Sequence, residues 1–354
     1  MKQTRILLVG DDTFEIYVRA FYECLIRMEY ENVELFATNR YMNDGKKEKE
    51  IPITTRIQNK LAIGPVIRRV QAELLKKVEE FRPELVFFYS QRIILPKTVE
   101  KIKAFGATIF MYNNDNPFAE YYPRYFWRNY RNALKYADVG FIYRQENRVD
   151  YEKVGCKKVV LLRSYYMADR NFYMEDPKEK VPQVVFIGHN ENDSRKASIR
   201  RLLDARIAVG VPKLNWIDFE NDNPYLIKLE NCMEKYNEQM NASDIAIVFL
   251  STLNHDTYTR RCFEIPATKT FMLSQYTDDI ASMFEEDKEI VFFRNDDELV
   301  SKVKFYLMNP KERNAIAQAG YERLMRDGHE VSDRVKQVMA LYSDIKQNKR
   351  MIDE

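Results

Sequence analysis

The sequence predicts an α/β protein made of two parallel-sheet domains. Short apolar runs alternate with amphipathic, helix-forming segments along most of the chain, a pattern typical of parallel sheets covered by helices on both faces. The strand-glycine sequence RILLVG at Arg5–Gly10 returns in similar form as QVVFIG at Gln183–Gly188. A polar stretch, Tyr165–Val181, reads as a linker between the two halves. We therefore predict three parts, covering residues 1–168, 182–330 and 331–354.

Size and composition exclude several classes of protein. A chain of 354 residues is too long for one ordinary core, which favours two domains. The 56 basic and 54 acidic residues nearly balance, so no broad positive field indicates a nucleic-acid partner. The four cysteines and three histidines share no short spacing, and we expect neither a disulfide framework nor a metal site, and no cofactor. With no apolar signal core or membrane span in the sequence, we expect a cytoplasmic protein.

In the first half, strands are predicted at 5–9, 33–37, 85–89, 107–112, 139–143 and 159–162. Helices are predicted up to about residue 28 and at 64–81, 97–105, 124–136 and 146–154. A polar, charged loop is expected at 38–53. Asp12 with Glu15 three residues later has the form of a capping box at the start of the first helix.

In the second half, the pattern after Gly188 predicts a helix from Ser194, a strand at 214–217 and a helix at 224–240. Further elements are a short helix at 280–284, a strand at 289–293 and a helix capped by Asp296 or Asp297. The next helix starts at Asn309–Pro310 and ends at Gly328, and a terminal helix runs from 331 to about 347.

One unit of the second half concentrates polar residues at a strand end. The apolar run Ile245–Leu250 predicts a buried strand, followed by a loop, a helix and a second strand at Thr270–Leu273. Ligands of parallel sheets bind beyond the carboxyl ends of strands. The loop and helix here carry two carboxylates and two cations, which suit a ligand with phosphates and hydroxyls: Asp256, Arg260, Arg261 and Glu264.

The spacing of these residues resembles a known family. Asp256 and Glu264 form an acidic-x7-acidic pair, and Arg261–Glu264 reads R-x-F-E. Both resemble the donor-site segment of bacterial GT-B glycosyltransferases, closest to the CgeB-like (spore maturation protein-like) group and related to glycosyltransferase family 4. The segment KERNAIAQAG at Lys311–Gly320 resembles the R-x-x-I-A-x-x-G helix of these enzymes, and His329 with Arg334 matches their H-x4-R ending. The first half of the chain matches in layout only.

The resemblance implies a GT-B architecture, with two Rossmann-like domains facing a cleft and a C-terminal helix crossing back onto the first. It also implies a hexosyltransferase-type enzyme that takes a nucleotide-diphosphate sugar in the second domain and a glycan, protein or small-molecule acceptor in the first. Transfer would retain the anomeric configuration. From the residues themselves we expect that the reaction needs no metal, because no clean pair of carboxylates follows a strand in a way that would hold magnesium against a diphosphate. Two positions depart from the family, with Asp256 in place of the usual glutamate and Lys269 in place of a glycine after the helix.

The resemblance also assigns roles to the donor-site residues. Glu264 would bind the ribose and Asp256 the donor sugar. Arg261 is a diphosphate candidate because guanidinium matches phosphate geometry, and it would stabilise the leaving group. Arg195 and the helix start after Gly188 would add further phosphate contacts.

Other interpretations of these residues stay open. Glu264 could instead form an ion pair with Arg260 or Arg261, and Asp256 could form a turn. If transfer inverts the configuration, Asp12 or Asp115 would be the general base. Other functions are a non-catalytic nucleotide-sugar or glycan-binding protein, a nucleotide-sugar epimerase, or a dehydrogenase, against which the missing G-x-G-x-x-G argues.

Overall fold

The computed structural model describes residues 2–42, 50–191 and 193–353. The chain divides into two compact units, which are Met1–Arg163 together with Val331–Glu354, and Ser164–Glu330. The break falls at residue 163, so the stretch interpreted as a linker belongs to the second unit. Among the described residues, no helix combines the length and apolar character needed to cross a bilayer.

The first unit is built on a six-stranded sheet in which every strand pair is parallel, in the order β2-β1-β3-β4-β5-β6. All five residues of the β3 sequence LVFFY are buried, as expected for a strand covered by helices on both faces. The strands are β1 Ile6–Gly10, β2 Val33–Ala37, β3 Leu85–Tyr89, β4 Thr108–Asn113, β5 Val139–Ile142 and β6 Val159–Leu161.

The helices predicted in this half are present with shifts of a few residues at their ends, but the helix at Ile53–Leu61 was not predicted. Part of the predicted loop at 38–53 is wrong, because residues 39–42 form a short helix; residues 43–49 lie outside the described part of the chain. The helices are α1 Ala20–Arg27, α2 Asn39–Met42, α3 Ile53–Leu61, α4 Pro65–Phe81, α5 Pro96–Ala104, α6 Arg128–Ala133 and α7 Arg148–Lys153.

The second unit has its own six-stranded parallel sheet, in the order β9-β8-β7-β10-β11-β12. Its strands are β7 Val184–Val185, β8 Val209–Pro212, β9 Leu226–Leu229, β10 Ile245–Val248, β11 Phe271–Gln275 and β12 Val291–Phe293. Its helices are α8 Arg195–Asp204, α9 Tyr236–Asn241, α10 Arg261–Ala267, α11 Asp278–Ala281, α12 Asp296–Met308 and α13 Pro310–Asp327. The strand order reverses between β7 and β10, the position where ligands bind in open α/β sheets.

The predictions for residues 209–240 are wrong in two places. The strand lies at Val209–Pro212 rather than 214–217, and Leu226–Leu229 is a strand where a helix was predicted. Trp216 explains the first error, because its fully buried ring packs edge-on against Phe186 while its neighbours Leu214 and Ile217 face solvent. The second strand pairs only with β8 at the sheet edge, and tertiary pairing of this kind overrides local propensity.

The terminal helix α14, Val331–Asp353, belongs with the first unit and extends beyond the predicted end. Gln337 Nε2 donates to the Leu161 carbonyl oxygen at 2.8 Å, and the Tyr342 ring meets Phe110 edge-on.

A further correction concerns the cap of α12. Asn295, rather than Asp296 or Asp297, accepts the hydrogen bond from the Glu298 amide at 2.9 Å.

Lys269 occupies a backbone position that favours glycine. Its φ of 57° is left-handed, directly after α10, which gives a physical reason for a glycine at this place in the resembling enzymes. Its ammonium group lies 4.7 Å from the ring centroids of both Tyr173 and Tyr321. These two cation–π contacts offset the backbone cost, since each is worth about 0.5–1 kcal/mol at an exposed site.

We predict that Lys269→Ala lowers the free energy of unfolding by about 1 kcal/mol more than Lys269→Gly does. Both variants lose the contacts with the tyrosines, but only glycine relieves the left-handed backbone. Urea unfolding of the full chain compares the two, and an alanine variant as stable as the glycine variant would contradict this explanation.

Candidate functional site

The candidate site lies at the reversal of strand order in the second unit. Gly188 follows β7, the loop Ser251–Asp256 follows β10, and α10 begins at Arg261. The loops are tied together, because Ser251 Oγ donates a hydrogen bond to Glu191 Oε2 at 2.5 Å. The predicted strand–loop–helix–strand unit is therefore confirmed, and its polar residues gather at the edge where ligands bind.

Gly188 permits a close approach by Arg261. A Cβ atom at residue 188 would lie 2.5 Å from the Phe186 ring and 3.1 Å from Arg261 Nη2. The guanidinium carbon of Arg261 is 5.8 Å from the centroid of that ring. Phe186 and the Gly188 backbone thus form the surface on which the Arg261 guanidinium rests.

Arg261 is a cation without a counter-charge in contact. Within the described part of the chain its guanidinium makes no hydrogen bond or ion pair, and its buried Nε has no partner. Leaving a buried donor unpaired costs free energy. A bound anion at this position would supply the missing acceptor.

Arg195, which the sequence analysis gives as a further phosphate contact, has the opposite environment. It is 2% exposed, and its Nε and Nη2 donate to the Asp193 carboxylate at 2.7–3.0 Å. Its Nη1 donates to the His189 carbonyl oxygen at 2.7 Å, and Glu191 lies 3.3 Å away. The geometry makes Arg195 a neutralised cation that shapes the loop after Gly188. A direct contact with phosphate stays a prediction.

Glu264 is a buried carboxylate on α10. Burial raises the pKa of Glu264, while Arg260, Arg261 and the nearby hydroxyl of Tyr236 oppose that rise. The alternative ion pair with Arg260 is weak, because Arg260 Nε is 4.0 Å from Glu264 Oε1 and its guanidinium stacks 4.4 Å from the Tyr165 ring centroid. The carboxylate therefore keeps capacity to accept hydrogen bonds from a ligand.

Asp256 sits in the loop after β10, as the sequence predicts. Its backbone N–H donates to the Ser251 carbonyl oxygen at 2.9 Å, and the preceding His255 has a left-handed φ of 54°. Asp256 thus helps to close a turn. A contact between its carboxylate and a donor sugar stays a prediction.

His189 joins this site although the sequence analysis did not single it out. It follows Gly188 directly, and its Nδ1 lies 3.0 Å from Asn215 Nδ2. Desolvation and the nearby Arg261 lower the pKa of His189, which favours a neutral ring. Its position directly after the strand and Gly188 is the one feature of the sequence that could have indicated a role for it.

His329, the histidine of the H-x4-R motif, stacks on the Phe263 ring with the ring centroids 4.7 Å apart.

The proposed capping role of Asp12 in the first unit is wrong. Residues 15–19 form a π-helical turn. The residue before this turn is Phe14, and no side chain makes a capping hydrogen bond there. The Asp12 carboxylate is 5% exposed and pairs with Arg19 at 2.9 Å and Arg40 at 3.2 Å. Burial opposes ionisation, but Asn39 and the two arginines outweigh it and lower the pKa of Asp12. An ion-paired carboxylate with a low pKa is a weak general base at neutral pH.

Asp115, the other candidate general base, lies in the loop after β4. Its backbone N–H donates to Asn113 Oδ1 at 3.1 Å. Ser90 Oγ, which follows β3, lies 2.9 Å from Asn113 Oδ1 and 2.7 Å from Asn114 Oδ1, so its single O–H donates to one of these two amide oxygens. These bonds fix the backbone around Asp115, and its role as a general base stays a prediction.

Within the described residues, no three Asp, Glu, His or Cys side chains gather as a metal site requires.

Comparisons with known proteins bear on this geometry. Residues 196–340, less than half of the chain, match the family model described as "Glycosyl transferase-like". That stretch includes Asp256, Arg261 and Glu264. No curated protein sequence matches the chain significantly.

Solved structures are similar over nearly the whole chain. Sucrose-phosphate synthase from Thermosynechococcus elongatus aligns with a TM-score of 0.75 at 9% identity, covering 98% of this chain and 100% of that one. HepE from Anabaena in complex with UDP aligns at 0.65 and 11% identity, over 96% and 100%. A putative UDP-N-acetylglucosamine 2-epimerase from Listeria monocytogenes aligns at 0.59 and 10%, over 97% of both chains. The fold is that of the GT-B glycosyltransferases. Identities this low show the fold alone.

Arg195 and Arg261 should differ sharply on substitution. Arg195→Ala leaves the nearly buried Asp193 carboxylate uncompensated, and we predict a loss of about 3–5 kcal/mol in unfolding free energy. Arg261→Ala removes no ion pair in contact and only a more distant charge near Glu264, so it should cost about 1 kcal/mol or less. Urea unfolding measures both. Equal losses would mean that Arg261 has a structural role like that of Arg195.

Proposed function

We propose that the protein is a glycosyltransferase that moves a sugar from a nucleotide-diphosphate donor to an acceptor hydroxyl. The observation that carries this proposal is the Arg261 guanidinium, which rests on Gly188 without an ion-pair partner at the strand-order reversal. Guanidinium binds phosphate through two parallel hydrogen bonds. The family match over 196–340 and the UDP in the similar HepE structure support the same ligand class.

The donor would be held by four side chains at this edge of the sheet. Arg261 binds the diphosphate, with His189 as a neutral hydrogen-bonding group beside it. Glu264, buried three residues further along α10, accepts hydrogen bonds from the ribose hydroxyls. Asp256 contacts the sugar.

In the transfer step, the acceptor oxygen forms a bond to the anomeric carbon as the bond from that carbon to the diphosphate oxygen breaks. Negative charge develops on the leaving diphosphate, and the fixed cation of Arg261 stabilises it. We propose that the configuration is retained and that the leaving diphosphate takes the acceptor proton. If the reaction inverts instead, Asp115 is the better base, since Asp12 is committed to two arginines.

Finer assignments are also part of the proposal. We place the enzyme with the bacterial CgeB-like group, as a cytoplasmic hexosyltransferase-type enzyme related to family 4. The acceptor would be a glycan, a protein or a small molecule. The motifs of the second unit support this group.

The likeness to the putative UDP-N-acetylglucosamine 2-epimerase from Listeria favours one alternative, a nucleotide-sugar epimerase. Incubation with UDP-sugars distinguishes the two functions. An epimerase changes the sugar of the nucleotide-sugar without an acceptor, whereas a transferase releases UDP and builds a glycoside. Tight donor binding with neither product would indicate a non-catalytic binding protein.

For Glu264→Gln we predict weaker UDP binding in a protein at least as stable as the wild type. Charged hydrogen bonds contribute about 1.5–3 kcal/mol, so the affinity should fall roughly tenfold or more. A raised pKa means that the folded state disfavours the charged form, and this destabilisation is present above the unfolded-state pKa. The neutral amide removes it. Calorimetry measures the affinity for UDP, and thermal unfolding measures the stability of the variant. An unchanged affinity would mean that Glu264 has a structural role and does not bind the nucleotide.

Transfer should survive excess EDTA, because Arg261 supplies fixed positive charge at the leaving diphosphate. Arg261→Ala should remove most of the rate while the fold persists, and Arg261→Lys should restore it only in part, since lysine lacks the two-pronged geometry. A transfer assay with and without chelator measures this. If EDTA stops turnover and manganese restores it, a metal carries the charge instead.

A further inference from the structure

We propose that α3 of the first unit docks on an anionic membrane surface. This nine-residue helix, Ile53–Leu61, contains no buried residue. Ile53 is 65% exposed and Ile57 is 51% exposed, and Ile63 just beyond the helix is 52% exposed. Ile53 and Ile57 form an exposed apolar patch along the helix, and Ile63 adds a third exposed apolar side chain just beyond its end.

The patch is amphipathic. Ile53 and Ile57 are four residues apart and share one face of the helix. Arg56 and Lys60, also four apart, lie on the adjoining strip of the same exposed side. Apolar side chains flanked by cations are typical of helices that lie in a membrane interface.

The helix is anchored through its other side, so the isoleucines do not serve its attachment. Arg92, in the loop after β3, donates to the Asn59 carbonyl oxygen and to Asn59 Oδ1, both at 2.6 Å. Gln58 Oε1 accepts from the Val66 amide at 2.9 Å, which fixes the turn into α4. Polar contacts hold α3 in place while its apolar face stays outward.

Charge complementarity selects the occupant. Residues 51–69 contain four basic side chains and no acidic one: Arg56, Lys60, Arg68 and Arg69. All four are exposed. Basic residues next to an apolar patch are attracted to the anionic headgroups of a bilayer. This inference rests on the first unit and does not depend on the proposed donor site.

Sedimentation of the full chain with lipid vesicles tests the proposal. We expect binding to vesicles of phosphatidylcholine with phosphatidylglycerol, weaker binding to phosphatidylcholine alone, and a decrease with salt. The double variant Ile53→Ser/Ile57→Ser should lose binding to both. Arg56→Gln/Lys60→Gln should lose roughly tenfold or more on anionic vesicles only.

Ile26→Ser is the matched control, because Ile26 is 46% exposed on α1 of the same unit; it should bind as the wild type does. Circular dichroism checks that every variant is folded. The proposal fails if the wild type does not sediment with anionic vesicles, or if the control loses as much binding as the double variant. It also fails if the α3 variants change only self-association in size-exclusion chromatography.

Discussion

The packing of Arg261 against Gly188 and Phe186 is the contact on which the candidate site depends. Any side chain at residue 188 would collide with the Phe186 ring at 2.5 Å and crowd the guanidinium. The aromatic face gives the cation a favourable surface without neutralising it. Phe186 and Gly188 after β7, together with Arg261 at the start of α10, keep one positive charge available at the strand-order reversal.

The surrounding charges explain why this arrangement holds a single free cation among three candidate arginines. Asp193 and Glu191 neutralise Arg195, and Glu191, which is only partly buried, ties the loop after β7 to the loop after β10 through Ser251. Arg260 stacks on Tyr165. Within the described residues, only Arg261 of these three arginines has no hydrogen-bond acceptor. The neighbouring carboxylates therefore leave the charge of Arg261 available to a ligand.

Much of the fold could be predicted from the sequence, because the buried parallel strands are short apolar runs. The two similar segments Arg5–Gly10 and Gln183–Gly188, each a strand followed by a glycine, also mark the first strand of each half. The unit from Ile245 to Gln275 was predictable for the same reason. The errors arise where long-range contacts decide. Leu226–Leu229 becomes a strand through pairing with β8, and Asp12 is turned from a cap into an ion-pair partner by Arg40, which is distant in sequence. The environments of Arg195 and Arg261 were likewise unpredictable, since both are arginines near a strand end.

Glu264 shows how such a site trades stability for binding capacity. A buried carboxylate whose pKa is raised by desolvation is less favourable in the folded protein than in water. Arg260 and Arg261 are near enough to keep the cost moderate, but Arg260 at 4.0 Å is too far to saturate the carboxylate. Three residues earlier on the same helix, the buried Nε of Arg261 has no hydrogen-bond partner, which also costs free energy. One ligand with a phosphate for the cation and hydroxyls for the carboxylate would relieve both costs at once, which is the physical reason to place a nucleotide diphosphate along the start of α10.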